Sequence, residues 1–368
     1  MTWETVPLGE LVELRYGKAL KAEDREGTSY PVIGSGGVVG SHADASVHEP
    51  TIVIGRKGSI GSLTYAADGC WPIDTAYFII LRTEVDLRWL YWTMQSLGLE
   101  SMNRSAAVPG LNRNDVYRAR IPLPPLTEQR RIAAILDEAD ALRTLHRGSL
   151  ENLERLRVAH FETSFANARF APTVIADVVA EVPNALRTGP FGSDLLHSEF
   201  VDDGVPVLGI DNVVSNEFVW AKPRFITQEK YESLKRYTVR GGDVLITIMG
   251  TVGRCGVVPD DIDQAINTKH LCCITLDQSR CLPDYLHDYF LYHPTAREYL
   301  RKTAKGAVMD GLNMGIIKQM PIVLPSIEAQ HHYVSQITEV STLADTAKSR
   351  DVDTLFASLQ HRAFRGEL

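Results

Sequence analysis

The chain has 368 residues, 44% hydrophobic and 23% charged, with 38 basic against 46 acidic residues and a formal net charge of −8. Length and composition describe a globular protein with room for two or more cores, and exclude a disordered, collagenous or wholly coiled-coil chain. No apolar run approaches the roughly 18 residues that a membrane span needs, and Met1-Thr2-Trp3-Glu4 lacks the basic-then-apolar start of a secretory signal, so a cytoplasmic protein is expected.

Taken in chain order, Thr51-Ile52-Val53-Ile54 and Tyr77-Phe78-Ile79-Ile80 are β-branched or aromatic runs between glycine-rich turns and read as strands. The earlier Gly34-Ser35-Gly36-Gly37-Val38-Val39-Gly40 is faintly like a dinucleotide loop, but the residues up to Pro50 open no helix, so it reads as a turn. Bulky residues at helical spacing from Arg88 to Gln95 predict a helix. Pro122-Leu123-Pro124-Pro125 then punctuates the chain. From Thr127 to about Ala168 there is no proline and only Gly148, while Ile132, Ile135, Ala139, Leu142, Leu153 and Leu156 keep three/four spacing. That predicts a long helix whose seam is interrupted by His146, Ser149 and His160. The same order then returns: strands at Val244-Leu245-Ile246-Thr247-Ile248 and Leu271-Cys272-Cys273-Ile274, and a helix over 285–291. Ser326 follows as an N-cap, and Tyr333, Ile337, Val340, Ala344 and Ala347 mark a second long helix whose pattern weakens beyond.

This return is a repeat at residue level. Gly110-Leu111-Asn112 recurs as Gly311-Leu312-Asn313, Leu123-Pro124 as Leu324-Pro325, and Gln129 as Gln330, all shifted by 201 residues. Gly58-Ser59-Ile60-Gly61 matches Gly250-Thr251-Val252-Gly253 at a shift of 192, so the second copy carries nine extra residues between these blocks. The expected fold is therefore a mixed α+β tandem duplication in which each copy is an α/β domain followed by a long helix. Neither helix has apolar surface enough to stand alone, and the economical arrangement pairs the two as an antiparallel coiled coil with pseudo-two-fold symmetry. The expected parts are 1–125 and 169–325 for the domains, and 126–168 and 326–368 for the helices. About 40 helical residues would span about 60 Å at about 1.5 Å each, which suits a spacer between two heads.

Signatures of catalysis are missing. There is no phosphate loop, since Gly17-Lys18 is followed by Ala19; no His-Glu-x-x-His; no Asn/Asp-Pro-Pro-Tyr/Phe run of amino-methyltransferases; and no Glu-x-Lys of a common nuclease core. Cys70, Cys255, Cys272, Cys273 and Cys281 form no Cys-x-x-Cys pair, so reduced, mostly buried thiols are expected, with no metal site. His331-His332 reads as a solvated or helix-pair position, because adjacent helical residues point apart. His270, Cys272, Cys273 and Cys281 lie in the alternation of a buried strand and read as core. What remains is a binding protein.

One run is specific: Ile121-Pro122-Leu123-Pro124-Pro125-Leu126-Thr127-Glu128-Gln129-Arg130-Arg131-Ile132-Ala133-Ala134-Ile135-Leu136 resembles the junction between a target-recognition domain and its conserved helix in the DNA-specificity (S) subunits of type I restriction-modification systems. Pro325-Ser326-Ile327-Glu328-Ala329-Gln330 is similar to a weaker second copy, and Gly189-Pro190-Phe191-Gly192-Ser193, Gly242-Asp243-Val244-Leu245-Ile246 and the closing Ala363-Phe364-Arg365-Gly366-Glu367-Leu368 also resemble that family. The resemblance covers nearly the whole chain. It implies a non-catalytic subunit whose two target-recognition domains each read one half of a bipartite, asymmetric DNA site. The helices would separate the domains and hold two adenine-methyltransferase (M) subunits, to which nuclease-translocase (R) subunits add. S-adenosylmethionine, ATP and Mg would then belong to those partners, and this chain would hold no cofactor.

Charge sharpens the expectation. Basic and acidic residues number 12 and 14 in 1–125, 6 and 7 in 126–168, 16 and 19 in 169–325, and 4 and 6 in 326–368. No segment is basic overall, so DNA affinity must rest on local patches and on partner subunits, and the chain alone should bind DNA weakly. Base edges and phosphates are met by Arg, Lys, Asn and Gln on loops that flank strands. The candidates are Arg15, Tyr16, Lys18, Lys21, Arg56, Lys57, Ser59 and Arg104 in the first domain, and Lys222, Arg224, Lys235, Arg236, Arg254, Lys269 and Lys305 in the second. Where the first copy has Arg56-Lys57 before its glycine the second has Ile248-Met249, so the two heads should read different sequences by different contacts. Glu128, Gln129, Arg130, Arg131 and Gln330 are assigned to partner or domain docking, with helix-start capping as the plainer role of Glu128. The competing reading is a bivalent protein-interaction scaffold of the same fold without DNA reading, favoured only by the acidic balance.

Overall fold

The structure is a computed structural model and describes residues 3–102, 110–165, 173–304 and 311–368. Two compact units divide the chain: unit 1 is Met1–Gly148 with Ser349–Leu368, and unit 2 is Ser149–Lys348. Unit 1 runs β1 (Thr5–Pro7), α1 (Leu8–Leu11), β2 (Val12–Tyr16), β3 (Tyr30–Gly34), β4 (Gly37–His42), β5 (Thr51–Gly55), β6 (Leu63–Ala66), β7 (Trp71–Pro72), β8 (Ala76–Leu81), α2 (Leu87–Ser96), α3 (Arg113–Arg118), β9 (Arg120–Pro122) and the first part of α4 (Leu126–Phe165). Unit 2 takes the rest of α4, then β10 (Thr173–Val174), β11 (Leu186–Thr188), β12 (Val205–Leu208), β13 (Phe225–Ile226), α5 (Gln228–Leu234), β14 (Thr238–Val239), β15 (Val244–Thr247), β16 (Cys255–Val257), β17 (Ala265–Asn267), β18 (Leu271–Ile274), α6 (Pro283–Tyr292), α7 (Pro294–Ala304), α8 (Met314–Lys318), β19 (Pro321–Ile322) and α9 (Ile327–Lys348). The closing helix, α10 (Val352–Arg365), belongs to unit 1.

The duplication expected from the sequence is visible in strand order. Unit 1 has an antiparallel sheet β2-β8-β5-β6 and unit 2 has β11-β18-β15-β16. Each unit adds a second sheet containing one parallel pair, β3 with β7 and β12 with β17, and a two-stranded pair at the helix junction, β1 with β9 and β10 with β19. The apolar strand runs are explained by burial on both faces. On β5, Ile52 and Ile54 pack into the core beneath α2 while Val53 faces the smaller sheet. On β15 and β18, Val244, Ile246, Cys272 and Ile274 face the helical core while Leu245, Leu271 and Cys273 face the other layer.

Each core reaches into the helices. Ile132, Ala133 and Leu136 of α4, with Phe356 and Ala363 of α10, complete the core of unit 1, and Phe161, Phe165, Tyr333 and Ile337 complete that of unit 2. Both pairings are antiparallel. In unit 1 Arg131 donates to the Leu368 carbonyl at 3.2 Å, Arg143 lies 4.1 Å from the Phe356 ring centre, and Arg147 meets Asp353 at 2.5 Å. In unit 2 His160 contacts Gln336 at 3.0 Å, and Leu150 and Leu153 line one small cavity with Ala344 and Lys348. The apolar seam expected along α4 is not continuous, because Leu142 and Leu156 are 62% and 52% exposed. Cationic and aromatic contacts replace it. The segment expected as one second helix is divided at residues 349–351, where the Asp351 side chain accepts from the Thr354 N–H at 2.9 Å and starts α10.

A polar tie, half-buried in unit 1 and buried in unit 2, fastens each domain helix to α4. In unit 1 Asp137 of α4 accepts from Arg88 at 3.0 Å and from the Trp92 indole at 2.8 Å. In unit 2 the signs are reversed: Arg157 of α4 meets the fully buried Asp288 of α6 at 2.7 Å, and Asp288 also accepts from the Tyr333 hydroxyl of α9 at 2.5 Å and contacts His287 at 2.7 Å.

Candidate nucleic-acid interface

The turn after the central strand is built alike in both units. Gly58 and Gly61 have φ of +80° and +75°, and Gly250 and Gly253 have +76° and +84°, a region that suits glycine. The Gly61 N–H donates to the Gly55 carbonyl at 2.8 Å and the Gly253 N–H to the Thr247 carbonyl at 3.0 Å. The Gly-Leu-Asn blocks close against this turn: Leu111 N–H donates to the Arg56 carbonyl and Leu312 N–H to the Ile248 carbonyl, each at 2.9 Å. Both leucines are buried, and Asn112 and Asn313 cap α3 and α8. Identical backbone therefore carries different side chains.

In unit 1 the turn brings two candidates together. The Arg56 guanidinium lies 5.1 Å from the Tyr16 ring centre and donates to the Asp74 carbonyl at 2.8 Å; Tyr16, at the end of β2, is 55% exposed. Lys57 and Ser59 are exposed on the same turn. Lys18 stands 5.5 Å from the Trp71 ring centre, whose indole donates to the Lys18 carbonyl at 2.9 Å. Arg15 and Lys21 are engaged locally by Glu13 at 3.0 Å and Glu23 at 3.4 Å. Arg104 lies outside the described residues.

In unit 2, Arg224 and Lys269 both act by charge on His270, and three candidates are held by carboxylates. Arg224 is ion-paired with Asp211, Lys235 with Glu232 at 2.5 Å, and Arg236 with Asp194 at 2.9 Å. Lys222 and Arg254 are exposed and Lys269 is half-buried, with no carboxylate partner among the described residues. Lys305 lies outside them. Sequence reasoning passed over Trp220, 61% exposed two residues before Lys222 and 5.3 Å from the Phe218 ring, because Phe218-Val219-Trp220-Ala221 reads as an ordinary short apolar run.

The docking candidates divide. Glu128, Arg130 and Arg131 open α4, with Glu128 and Arg131 paired at 2.7 Å and Arg130 exposed. Gln129 and Gln330 are buried, and of the two roles expected for them, partner or domain docking, their bonds are of the domain kind. The Gln129 amide accepts from the Asp86 N–H at 2.8 Å and donates to the Pro124 carbonyl at 2.9 Å. The Gln330 amide accepts from the Leu282 N–H at 2.9 Å and donates to the Pro325 carbonyl at 3.0 Å and the Arg280 carbonyl at 2.9 Å. With every bond made inside its own unit, each glutamine joins a domain helix to the start of α4 or α9.

A family model described as "Type I restriction modification DNA specificity domain" matches residues 1–155 and 193–350. The chain belongs to this DNA-specificity family. As a specificity subunit it is not a catalytic one. It is 25% identical to the type I restriction enzyme EcoBI specificity subunit of Escherichia coli over 359 residues, covering 88% of this chain and 74% of that one. It is 21% identical to the MjaVIII specificity subunit of Methanocaldococcus jannaschii over 371 residues, covering 93% and 87%. The S subunit structure from M. genitalium shares the fold, with a TM-score of 0.68 at 14% identity over 99% of this chain and 96% of that one. A chain from a type I system studied for complex assembly gives 0.55 at 16% identity over 100% and 98%.

The remaining chemistry of this specificity subunit is that of a core. All five cysteines are free and buried, and burial pushes the thiols of Cys70, Cys272 and Cys281 up to about 12. Among the described residues no cluster of His, Cys, Asp and Glu could hold a metal, and no helix is long and apolar enough to cross a membrane. His331 and His332 are exposed on α9, and the glycine-rich Gly34–Gly40 segment is the hairpin between β3 and β4.

Proposed function

We propose that this chain is the sequence reader and assembly platform of a type I restriction-modification complex. The target-recognition domains, 1–125 and 169–325, each read one half of a bipartite asymmetric DNA site, and the helices, 126–168 and 326–368, set the gap between halves and dock two M subunits. Adenine methylation, and restriction where R subunits join, are carried out by those partners, which hold S-adenosylmethionine and ATP with Mg. The single observation that carries this reading is the repeated turn: one backbone, twice, with Arg56-Lys57 in one copy and Ile248-Met249 in the other. A conserved frame with divergent side chains suits two heads that read different sequences, as base edges demand.

Replacing Arg56 and Lys57 together by alanine tests it. The expected outcome is loss of methylation at a specific sequence while M subunits still co-purify with the chain. Unchanged methylation would remove this turn from the reader.

A further inference from the structure

A corner of unit 1 carries more than the turn. The end of β2, the β5–β6 turn and the first residue of α3 meet there, and a second guanidinium, that of Arg113, lies 5.7 Å from the Tyr16 ring centre. Arg56 lies 5.1 Å from the same centre and 5.8 Å from that of Tyr77, which is itself 5.0 Å from Tyr16. Tyr77 is buried, and its hydroxyl donates to the Leu111 carbonyl at 3.3 Å, which fixes this platform to the Gly-Leu-Asn block. Two cations thus share one exposed ring. Neither is ion-paired with a carboxylate among the described residues: Arg56 donates to the Asp74 carbonyl, and Arg113 makes only a long contact to the Leu14 carbonyl at 3.4 Å. Among the described residues the buried Arg56 Nε has no hydrogen-bond partner. Placing like charges together opposes folding, and contact with the Tyr16 ring and the charge of Glu13 on β2 offset that cost.

Unit 2 shows that the backbone does not require it. Register relates the two corners: Tyr16 pairs with Tyr77, which pairs with Ile54, and Thr188 pairs with Cys272, which pairs with Ile246. The turn residue is Ile248 in place of Arg56, and the residue after the capping asparagine is Met314 in place of Arg113. Thr188, Cys272, Ile248 and Met314 therefore stand where unit 1 has Tyr16, Tyr77, Arg56 and Arg113. The same frame folds with an uncharged corner.

We propose that Arg113, held with Arg56 across the Tyr16 ring, is a DNA-contacting and specificity-determining residue of unit 1. Its planar guanidinium donates to paired acceptors of the duplex, the N7 and O6 of a guanine or two phosphate oxygens. The inference rests on the DNA reading proposed above and adds a residue that charge counting did not single out.

The test uses the full chain assembled with its M subunits and a sequence-resolved map of adenine methylation for wild type, Arg113→Met and Arg113→Lys. Arg113→Met installs the side chain that unit 2 already tolerates. It is expected to lower methylation by about 10- to 100-fold, with the unit 2 half of the motif still required. If Arg113 reads a base, choice relaxes at one position of the unit 1 half and Arg113→Lys does not restore it. If it grips phosphate, the loss is uniform across sequences, the salt dependence becomes shallower and Arg113→Lys restores most of the activity. Wild-type motif and level in Arg113→Met would overturn the proposal while leaving the reader intact. Loss of both halves together with M-subunit binding would also overturn it, as a folding defect. A wild-type complex that marks no motif would instead sink the DNA reading itself, and the proposal with it.

Discussion

Gln129 and Gln330 occupy the same place in the two copies and do the same work with an uncharged amide. A buried amide is stable only if its donors and acceptor are matched, and here the glutamine supplies what a helix N-terminus and a proline-rich turn leave unmatched. Gln330→Ala strands the Leu282 N–H and the carbonyls of Arg280 and Pro325 in the interior, and is expected to lower unit 2 stability by about 2–3 kcal/mol. Chemical denaturation followed by fluorescence measures it, and a loss below about 0.5 kcal/mol would mean that water takes over the amide's role. The repeat in the sequence exposed these glutamines and left partner and domain docking open, yet their bonding partners were hidden. Their key partners are 43 and 48 residues away, on elements with no motif of their own. Arg56 and Tyr16 were legible as chemistry, but their meeting with Arg113 was not, because nothing in local spacing brings β2, a turn and α3 to one corner.

Among the elements, those with long apolar runs were legible and the short ones were not. β5, β8, β15 and β18 are buried enough to leave a pattern, whereas β7, β10, β13, β14 and β19 have two residues each and no detectable period. α4 was foreseen to within a few residues, but its seam was misjudged, since Arg143 and Arg157 take positions facing Phe356 and Asp288 that leucine spacing would give to apolar side chains. The break before α10 contains neither proline nor glycine and depends on the Asp351 cap. Asp288 shows what such polar ties imply for stability. Burial pushes its carboxyl up, but the His287 hydrogen bond and the Arg157 charge outweigh this and hold it below the usual value. A depressed folded pKa contributes stability that is present above the unfolded value, about 3.9, and is lost as pH falls through the folded one. Unit 2 should therefore lose stability below about pH 4. Asp288→Asn should be weaker by about 3–5 kcal/mol at pH 7, with a flatter acid limb. Denaturation midpoints at pH 7 and pH 3 test this, and parallel pH profiles for the two proteins would contradict it.

For the molecule as a whole, the decisive tension is between a net charge of −8 and a role on DNA. Non-specific affinity comes from neutralised phosphates, so a chain with no basic segment gains little of it and leaves discrimination to a few placed groups. That division fits the proposed reader within a larger assembly. The tandem repeat and the resemblance at residues 121–136 made the specificity-subunit family legible before the fold was known, while the acidic total argued against DNA binding. A genome-wide map of N6-methyladenine in the source cell, with and without this chain, tests the account most directly. Loss of one two-part asymmetric motif on deletion is the predicted result. A map that keeps every motif while the M subunits are expressed would contradict it.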